Sequence, residues 1–307
     1  MKKSSGTIRP PKPKRKTTAK KAVATAVPRS SAMPDRRAME GFMAGLFGRV
    51  SASANGAVDE AQEVMYEAWE ASGAERIALA RSALEISPLC ADAYVLLAEE
   101  SATSDAEALA LYNKGTAAGE RALSGQFEEL AGHFWGVLET RPYMRARAGL
   151  ATTLWRIGDH EGAIEHYHAL LALNPGDNQG IRYLLASALL ARNDLPALRK
   201  LLREHAEDGA AAWVYTRALL AFREQDPHAD EIAREAWEVN RHVPAMLAGD
   251  LPLAPSADGY IRMGGEDEAT AYIQDNGAAW RAVPGAIEWL VARTAGLQPR
   301  HIGRKAR

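Results

Sequence analysis

An all-α chain of about five helical hairpins, closed by a helical C-terminal cap, is what this sequence predicts, and three observations carry the prediction. The 34 residues from Met144 to Asp177 read as helix, turn and helix; weaker copies of that scheme flank them; and after residue 244 the period stops. At 307 residues, 47% hydrophobic and 25% charged, the chain has ample apolar material for such a core.

Taken in order, the first segment is residues 1–37, with twelve Lys/Arg against Asp35, a net of +11. Residues 293–307 add five basic residues and no acid, so a chain of formal charge −2 carries −18 between the two ends. The run "PPKPKRKTTAKKAVATAVPRSSAMP" mixes proline, serine, threonine and lysine with almost nothing to bury, which predicts a disordered basic tail. Such a tail would attract nucleic acid without regard to sequence, or an anionic membrane surface, or the acidic body of its own chain.

Residues 38–56 follow as an amphipathic capping helix and linker. Met39, Phe42, Met43, Leu46, Phe47 and Val50 recur at i, i+3, i+4, i+7, i+8 and i+11, one face of a helix. Gly41, Gly45 and Gly48 each weaken it by about 1 kcal/mol against alanine, so it needs a surface to pack on. The expectation is that the apolar face caps the first repeat; an interfacial membrane anchor is the other reading, because arginines flank the face. "SASANG" (51–56) reads as the linker.

Residues 57–244 hold the repeats. In the clearest unit Leu150, Ala151 and Leu154 share one helical face, and Ala163, Ile164, Tyr167, Leu170 and Leu171 share another. Gly158 can take the left-handed conformation that ends the first helix, Asp159 can cap the second, and Pro175 stops it. Residues 180–205 repeat the scheme with Asp194 as cap and Pro196 in a first turn, although Arg192 stands where a turn glycine is expected. Upstream, residues 59–88 break at Ser72-Gly73 and close at Pro88, and residues 90–120 place Ala108 and Tyr112 where the clearest unit has Ala163 and Tyr167. Residues 210–244 give the fifth pair. A hairpin of this kind cannot bury its face alone, so stacking is required.

In Leu150, Ala151, Gly158, Ala163, Tyr167 and Pro175 these units resemble the tetratricopeptide repeat family, whose period is 34 residues. The stretches "AYVLLAEE", "GHFWGVLETRPYMRA", "NPGDNQGIRYLL", "NRHVPAML" and "GAIEWL" are similar to the bacterial relatives of the suppressor of tumorigenicity 7 protein, across roughly residues 57–292. The resemblance implies an all-helical, tetratricopeptide-like α-solenoid and supplies no activity. It also implies that the first helix of each repeat lines a concave groove. By position in the repeat, Arg145, Thr152, Trp155 and Arg156 would then face that groove, joined by Gln179 and Arg182 from the next unit. Guanidinium groups beside an indole could hold a carboxylate, a phosphate or a peptide terminus; the competing reading is arginine as internal glue. Ala148 and Thr152 stand where the family's carboxylate clamps carry Lys and Asn, which argues against chaperone C-termini as ligands.

Between the second and third hairpins lies "GHFWGVLETRPYMRAR" (132–147), dense in aromatic residues and arginine. Phe134 and Trp135 are expected to fill the wedge left where the period breaks, with Pro142 opening the next helix and His133 a buried or boundary residue. Residues 245–292 leave the repeat: Gly264-Gly265 precede three acids suited to a helix N-terminus, and Trp280 and Trp289 are spaced to close a hydrophobic cap.

Signals for catalysis are poor. His160, Glu161, Glu165, His166 and His168 lack the four-residue histidine spacing that zinc on a helix requires, and neither a phosphate-binding GxxxxGK[ST] nor a GxSxG serine occurs. The single cysteine, Cys90, reads as a small buried hydrophobe. With no paired cysteines, no secretory h-region and no run of eighteen apolar residues, the expectation is a cytoplasmic protein without cofactor or metal. Two functions fit: a non-enzymatic scaffold or adaptor that holds a protein or peptide, an acidic one included, in a concave groove; or a nucleic-acid-associated or anionic-membrane-surface protein acting through residues 1–37.

Overall fold

The structure is a computed structural model that describes residues 35, 37–47, 56–256 and 260–298. The described residues contain α-helix and short 3₁₀ turns and no strand. The described residues group as one unit by their contacts.

The helices are α1 (Ala38–Phe47), α2 (Gly56–Glu70), α3 (Gly73–Ile86), α4 (Ala91–Glu100), α5 (Asp105–Ala122), α6 (Phe127–Leu130), α7 (Arg141–Ile157), α8 (His160–Leu173), α9 (Ile181–Ala191) and α10 (Leu195–Glu204). They continue as α11 (Ala211–Arg223), α12 (Ala229–Val239), α13 (His242–Ala248), α14 (Glu266–Arg281) and α15 (Ala286–Thr294). Consecutive helices pair as α2 with α3, α4 with α5, α7 with α8, α9 with α10 and α11 with α12. These pairs coincide with the five stretches in which the sequence places hairpins. Small residues set how closely they approach. A Cβ on Gly149 of α7 would lie 2.1 Å from the Tyr112 ring of α5, and one on Gly119 of α5 would lie 2.8 Å from Tyr143, so only glycine admits this crossing.

The turns repeat a local device. Gly158, Asn193 and Gln225 all have left-handed backbone, and each is followed by an aspartate, Asp159, Asp194 or Asp226. Asp159 and Asp194 accept from the N–H groups of Gly162 and Ala197 and so cap the next helix. Arg192 itself keeps a right-handed backbone; Asn193 takes the left-handed position, which explains how the second turn manages without glycine.

The main core runs through α7–α15, with Tyr167, Leu185, Trp213, Tyr215 and Trp280 buried. A second cluster joins α2, α3 and α4 around Met65 and Trp69, and a third joins α4, α5 and α7 around Val95, Tyr112 and Leu150. In the spacer, Phe134 is wholly buried and packs edge-on against Phe127 and Tyr143 at 4.9 and 5.9 Å. Trp135 is half-buried under Arg141, His133 is exposed, and Pro142 sits in the first turn of α7. At the C-terminal end α14 rests on α9, α11 and α13. Of its three leading acids, Asp267 and Glu268 are buried; Glu268 accepts from the N–H of Ala211 and Gly264 and from Asn240, tying α14 to the start of α11 and the C-terminal end of α12. Trp280 is wholly buried, and Trp289 packs on Phe222 while donating to Asp230.

Two expectations are corrected by the N-terminal part. Helix α1 forms, but Met39, Phe42 and Leu46 of its apolar face point to solvent, and Glu40 is buried instead. The reason is a set of buried arginines, described below, that needs the Glu40 carboxylate more than the core needs the stripe. Phe47 side chain and Val50 lie outside the described residues. Asp35 and Arg37, assigned by charge to the tail, belong to the body: Arg37 pairs with Asp35 and Glu99 and covers Trp69 at 3.7 Å, and Arg76 of α3 also holds Asp35. The rest of 1–37 and residues 299–307 lie outside the described residues.

Candidate functional site

Helix α7 carries most of the residues predicted to recognise a partner, and its two ends differ in chemistry. At the N-terminal end Arg145 uses all three nitrogens: Nε and Nη2 donate to Asp92 of α4 at 2.8 and 2.6 Å, and Nη1 donates to both Glu40 oxygens at 3.0 and 2.9 Å. Arg141, one turn earlier, adds a bond to Glu40 at 3.1 Å and one to the Trp135 carbonyl at 2.9 Å. Gln62 of α2 completes Asp92 at 3.0 Å. Glu40 and Asp92 are both buried, so α1, α2, α4 and α7 meet on a polar core. Burial alone would lower the affinity of Arg145 for its proton, but Asp92 and Glu40 more than offset this and raise its pKa.

Further along α7 the surface opens. A hollow of about 310 Å³ is bordered by Arg145, Thr152, Arg156 and Gln179, together with Glu99, Tyr112, Ala148, Gly149 and Thr153. Thr152 is exposed and donates to the Ala148 carbonyl at 3.0 Å. Burial pushes the Tyr167 phenol up, and its hydrogen bond with Thr152 partly offsets the shift. Arg156 pairs with Asp105 of α5 at 2.6 Å with both side chains about half exposed. Gln179 presents a shielded Oε1 that has no hydrogen-bond partner.

The other two predicted residues lie apart from the hollow. Trp155 is half-buried against the His160 ring at 4.2 Å. Arg182, at the start of α9, donates to Asp177 at 2.9 Å and to Asp208 at 2.7 Å, beside a second depression bordered by Glu204, His205 and Glu207. Tyr183 also donates to Asp208; its phenol is pushed up to about 12 by burial and by that hydrogen bond. Arg145 and Arg182 therefore serve as internal pairing partners, the geometry that the glue reading requires, and neither guanidinium is left open to an incoming anion.

Glu40, Asp92 and Arg141 complete the polar core, and the sequence reading did not single out any of them as a set. Signals existed: Arg141 and Arg145 share a helical face at i, i+4, Asp92 interrupts the apolar run "ADAYVLLA", and Glu40 is the lone charge in α1. Elsewhere two reactive side chains are closed off or engaged. Burial first, then Asp92, pushes the Cys90 thiol up to about 12, far from a nucleophile's range. His166 accepts from Arg147 and is held below the usual histidine range by burial and that charge. Among the described residues no group of three or more His, Cys, Asp or Glu is placed to hold a metal.

Residues 52–132 match the model of the ST7 protein family. The human "Suppressor of tumorigenicity 7 protein-like" is 29% identical over 255 residues, covering 74% of this chain and 44% of the human protein. Its rat counterpart is 30% identical over 264 residues, 74% of this chain and 45% of its own length. The "Suppressor of tumorigenicity 7 protein" of Macaca fascicularis is 28% identical over 280 residues, 75% of this chain and 52% of its length. The chain thus spans about half the length of the curated relatives it matches. No solved structure matches it. The family match takes in α2–α6 and the start of the irregular spacer, and the similarity to curated relatives extends over about three quarters of the sequence: the chain is similar to the ST7 family.

Proposed function

We propose that this chain is a non-enzymatic, cytoplasmic scaffold of tetratricopeptide-like hairpins that holds a protein or peptide segment in the hollow beside α7. One observation carries the reading. Arg145, Thr152, Arg156 and Gln179, drawn from two successive repeats, border the same open hollow. The exposed Thr152 hydroxyl donates to the Ala148 carbonyl and can still accept an N–H from the backbone or an amide side chain of a bound segment. Arg145 is already neutralised by Asp92 and Glu40, so it shapes the wall of the hollow rather than attracting an anion. Arg156 is the residue that can exchange its exposed pair with Asp105 for a carboxylate of an acidic partner. The hollow is thus suited to a segment read mainly by neutral hydrogen bonds with one charge contact.

The test is site-specific photocrosslinking of the full chain in cells, with the crosslinking residue at Thr152 and, as control, at the exposed Glu235 of α12. A discrete protein adduct from position 152 and none from 235 is expected. Equal labelling from both positions, or none from either, would defeat the proposal.

A further inference from the structure

Helix α1 shows solvent three large apolar side chains in one row. Met39, Phe42 and Leu46, spaced i, i+3 and i+7, are 59, 63 and 62% exposed. The row cannot turn inward. Glu40 is locked on Arg141 and Arg145, and Gly41 sits so close to Tyr66 that a Cβ there would lie 2.9 Å from it. Rolling the helix would strip the buried Glu40 carboxylate of both its arginines and would force another residue against Tyr66.

The sequence leading into this row is strongly cationic. Asp35 and Glu40 are the only acids in residues 1–47, and both are consumed within the body, Asp35 by Arg37 and Arg76, Glu40 by Arg141 and Arg145. Residues 1–36 contribute eleven Lys/Arg. The exposed face of α1 therefore offers apolar surface, and the sequence leading into it offers cations. Helices that lie in the plane of a bilayer interface combine these two features. At ten residues α1 is too short to cross a bilayer, and no described helix is long and apolar enough to do so.

We propose that α1 docks on an anionic lipid surface, with Met39, Phe42 and Leu46 entering the boundary between headgroups and acyl chains while the preceding basic residues hold the headgroups. A nucleic acid would use the cations and leave the apolar row idle. A second copy of the chain would bring two strongly cationic segments together. Three apolar side chains are a weak anchor by themselves, as a single acyl chain is, so row and charge must act jointly. This surface is separate from the hollow beside α7, and either proposal can fail without the other.

The experiment is co-sedimentation of the full chain with vesicles of phosphatidylcholine alone and of phosphatidylcholine with about one third phosphatidylglycerol. Binding to the anionic vesicles that weakens with salt, and little binding to the neutral ones, is expected. Phe42→Ser with Leu46→Ser should lower the anionic partition about tenfold or more, with unchanged melting because both side chains face solvent. Equal partition of wild type and the double variant would overturn the proposal and leave the basic residues acting alone, as would a DNA duplex that binds both forms equally while vesicles bind neither. A second measurement does not depend on that pair of substitutions: Phe42→Cys labelled with an environment-sensitive fluorophore, the native Cys90 being buried. A blue shift with anionic vesicles is expected; no shift overturns the docking.

Discussion

Arg145 and Arg156 stand about three turns apart on the same face of α7, and each meets a carboxylate at 2.6 Å. The Arg145 side chain is 10% exposed and its partner Asp92 is 0% exposed, whereas Arg156 and Asp105 are 52% and 51% exposed. Identical chemistry on one helix face therefore does two different things. Where α1, α2 and α4 close over the helix, the pair is part of the fold, because a buried charge left alone is costly. Where the surface opens, the pair is screened by water and salt and is free to exchange partners. Arg182 lies between them, with its side chain 20% exposed and two carboxylates in reach.

The largest effect is expected at the closed end. Arg145→Met keeps the aliphatic stem but strips Asp92 and Glu40 of their shared partner, and the loss of stability should be about 3–5 kcal/mol in urea denaturation. Adding Asp92→Leu should recover part of that loss, since replacing both members of a buried pair by apolar groups is close to neutral. A single substitution costing under about 1 kcal/mol would mean that water reaches Asp92 and that the contrast with Arg156 is not one of burial.

Much of this architecture was legible in advance because it is local. Helix periods, the aspartate caps and the prolines lie within a few residues of what they control, and the five predicted hairpins all correspond to helix pairs. The recurring left-handed turn was only half legible, because Asn193 is a residue type that takes glycine's place at a helix end whereas Gln225 is not. The side of α1 that is buried was not legible at all. Periodicity says that Met39, Phe42 and Leu46 share a face, but which face turns inward depends on Arg141 and Arg145, a hundred residues downstream. The same holds for the predicted site. Arg145, Thr152, Arg156 and Gln179 border one hollow, yet sequence position could not tell a saturated arginine from an exchangeable one, because Asp92 and Glu40 reach Arg145 from distant helices.

An intermediate effect is expected at Arg182. Arg182→Gln removes charged hydrogen bonds to Asp177 and Asp208 at a site that solvent still reaches, so a loss of about 1–2 kcal/mol is expected at neutral pH. The pH dependence sharpens this. Burial pushes the Asp208 carboxyl up, but the Ala210 N–H, the Tyr183 hydroxyl and Arg182 outweigh burial and hold it below the ordinary aspartate range. A carboxyl with a lowered folded pKa stabilises the fold above its unfolded value, near 4, and that contribution disappears as pH falls through the lowered value. Denaturation midpoints of the wild type should therefore drop on acidification below about pH 4, and the Arg182→Gln chain should drop less steeply there. Parallel curves would show that Arg182 does not hold the Asp208 proton off.

The smallest effect belongs to the open end, and it decides whether α7 really has two kinds of arginine. Arg156→Gln should change stability by no more than about 1 kcal/mol, and the difference from wild type should shrink as salt is raised, because two half-exposed side chains are screened within a Debye length. Arg145→Met, measured alongside, should keep most of its deficit at the same salt, since Asp92 has no solvent exposure through which ions could act. A salt-insensitive loss of about 2 kcal/mol or more at Arg156 would show that this end of the helix is as closed as the other, and an arginine so held could not release Asp105 to receive a partner's carboxylate. A small, screened effect leaves the Arg156 guanidinium as the one on α7 that can change partners at little cost to the fold, as a wall of a binding hollow requires.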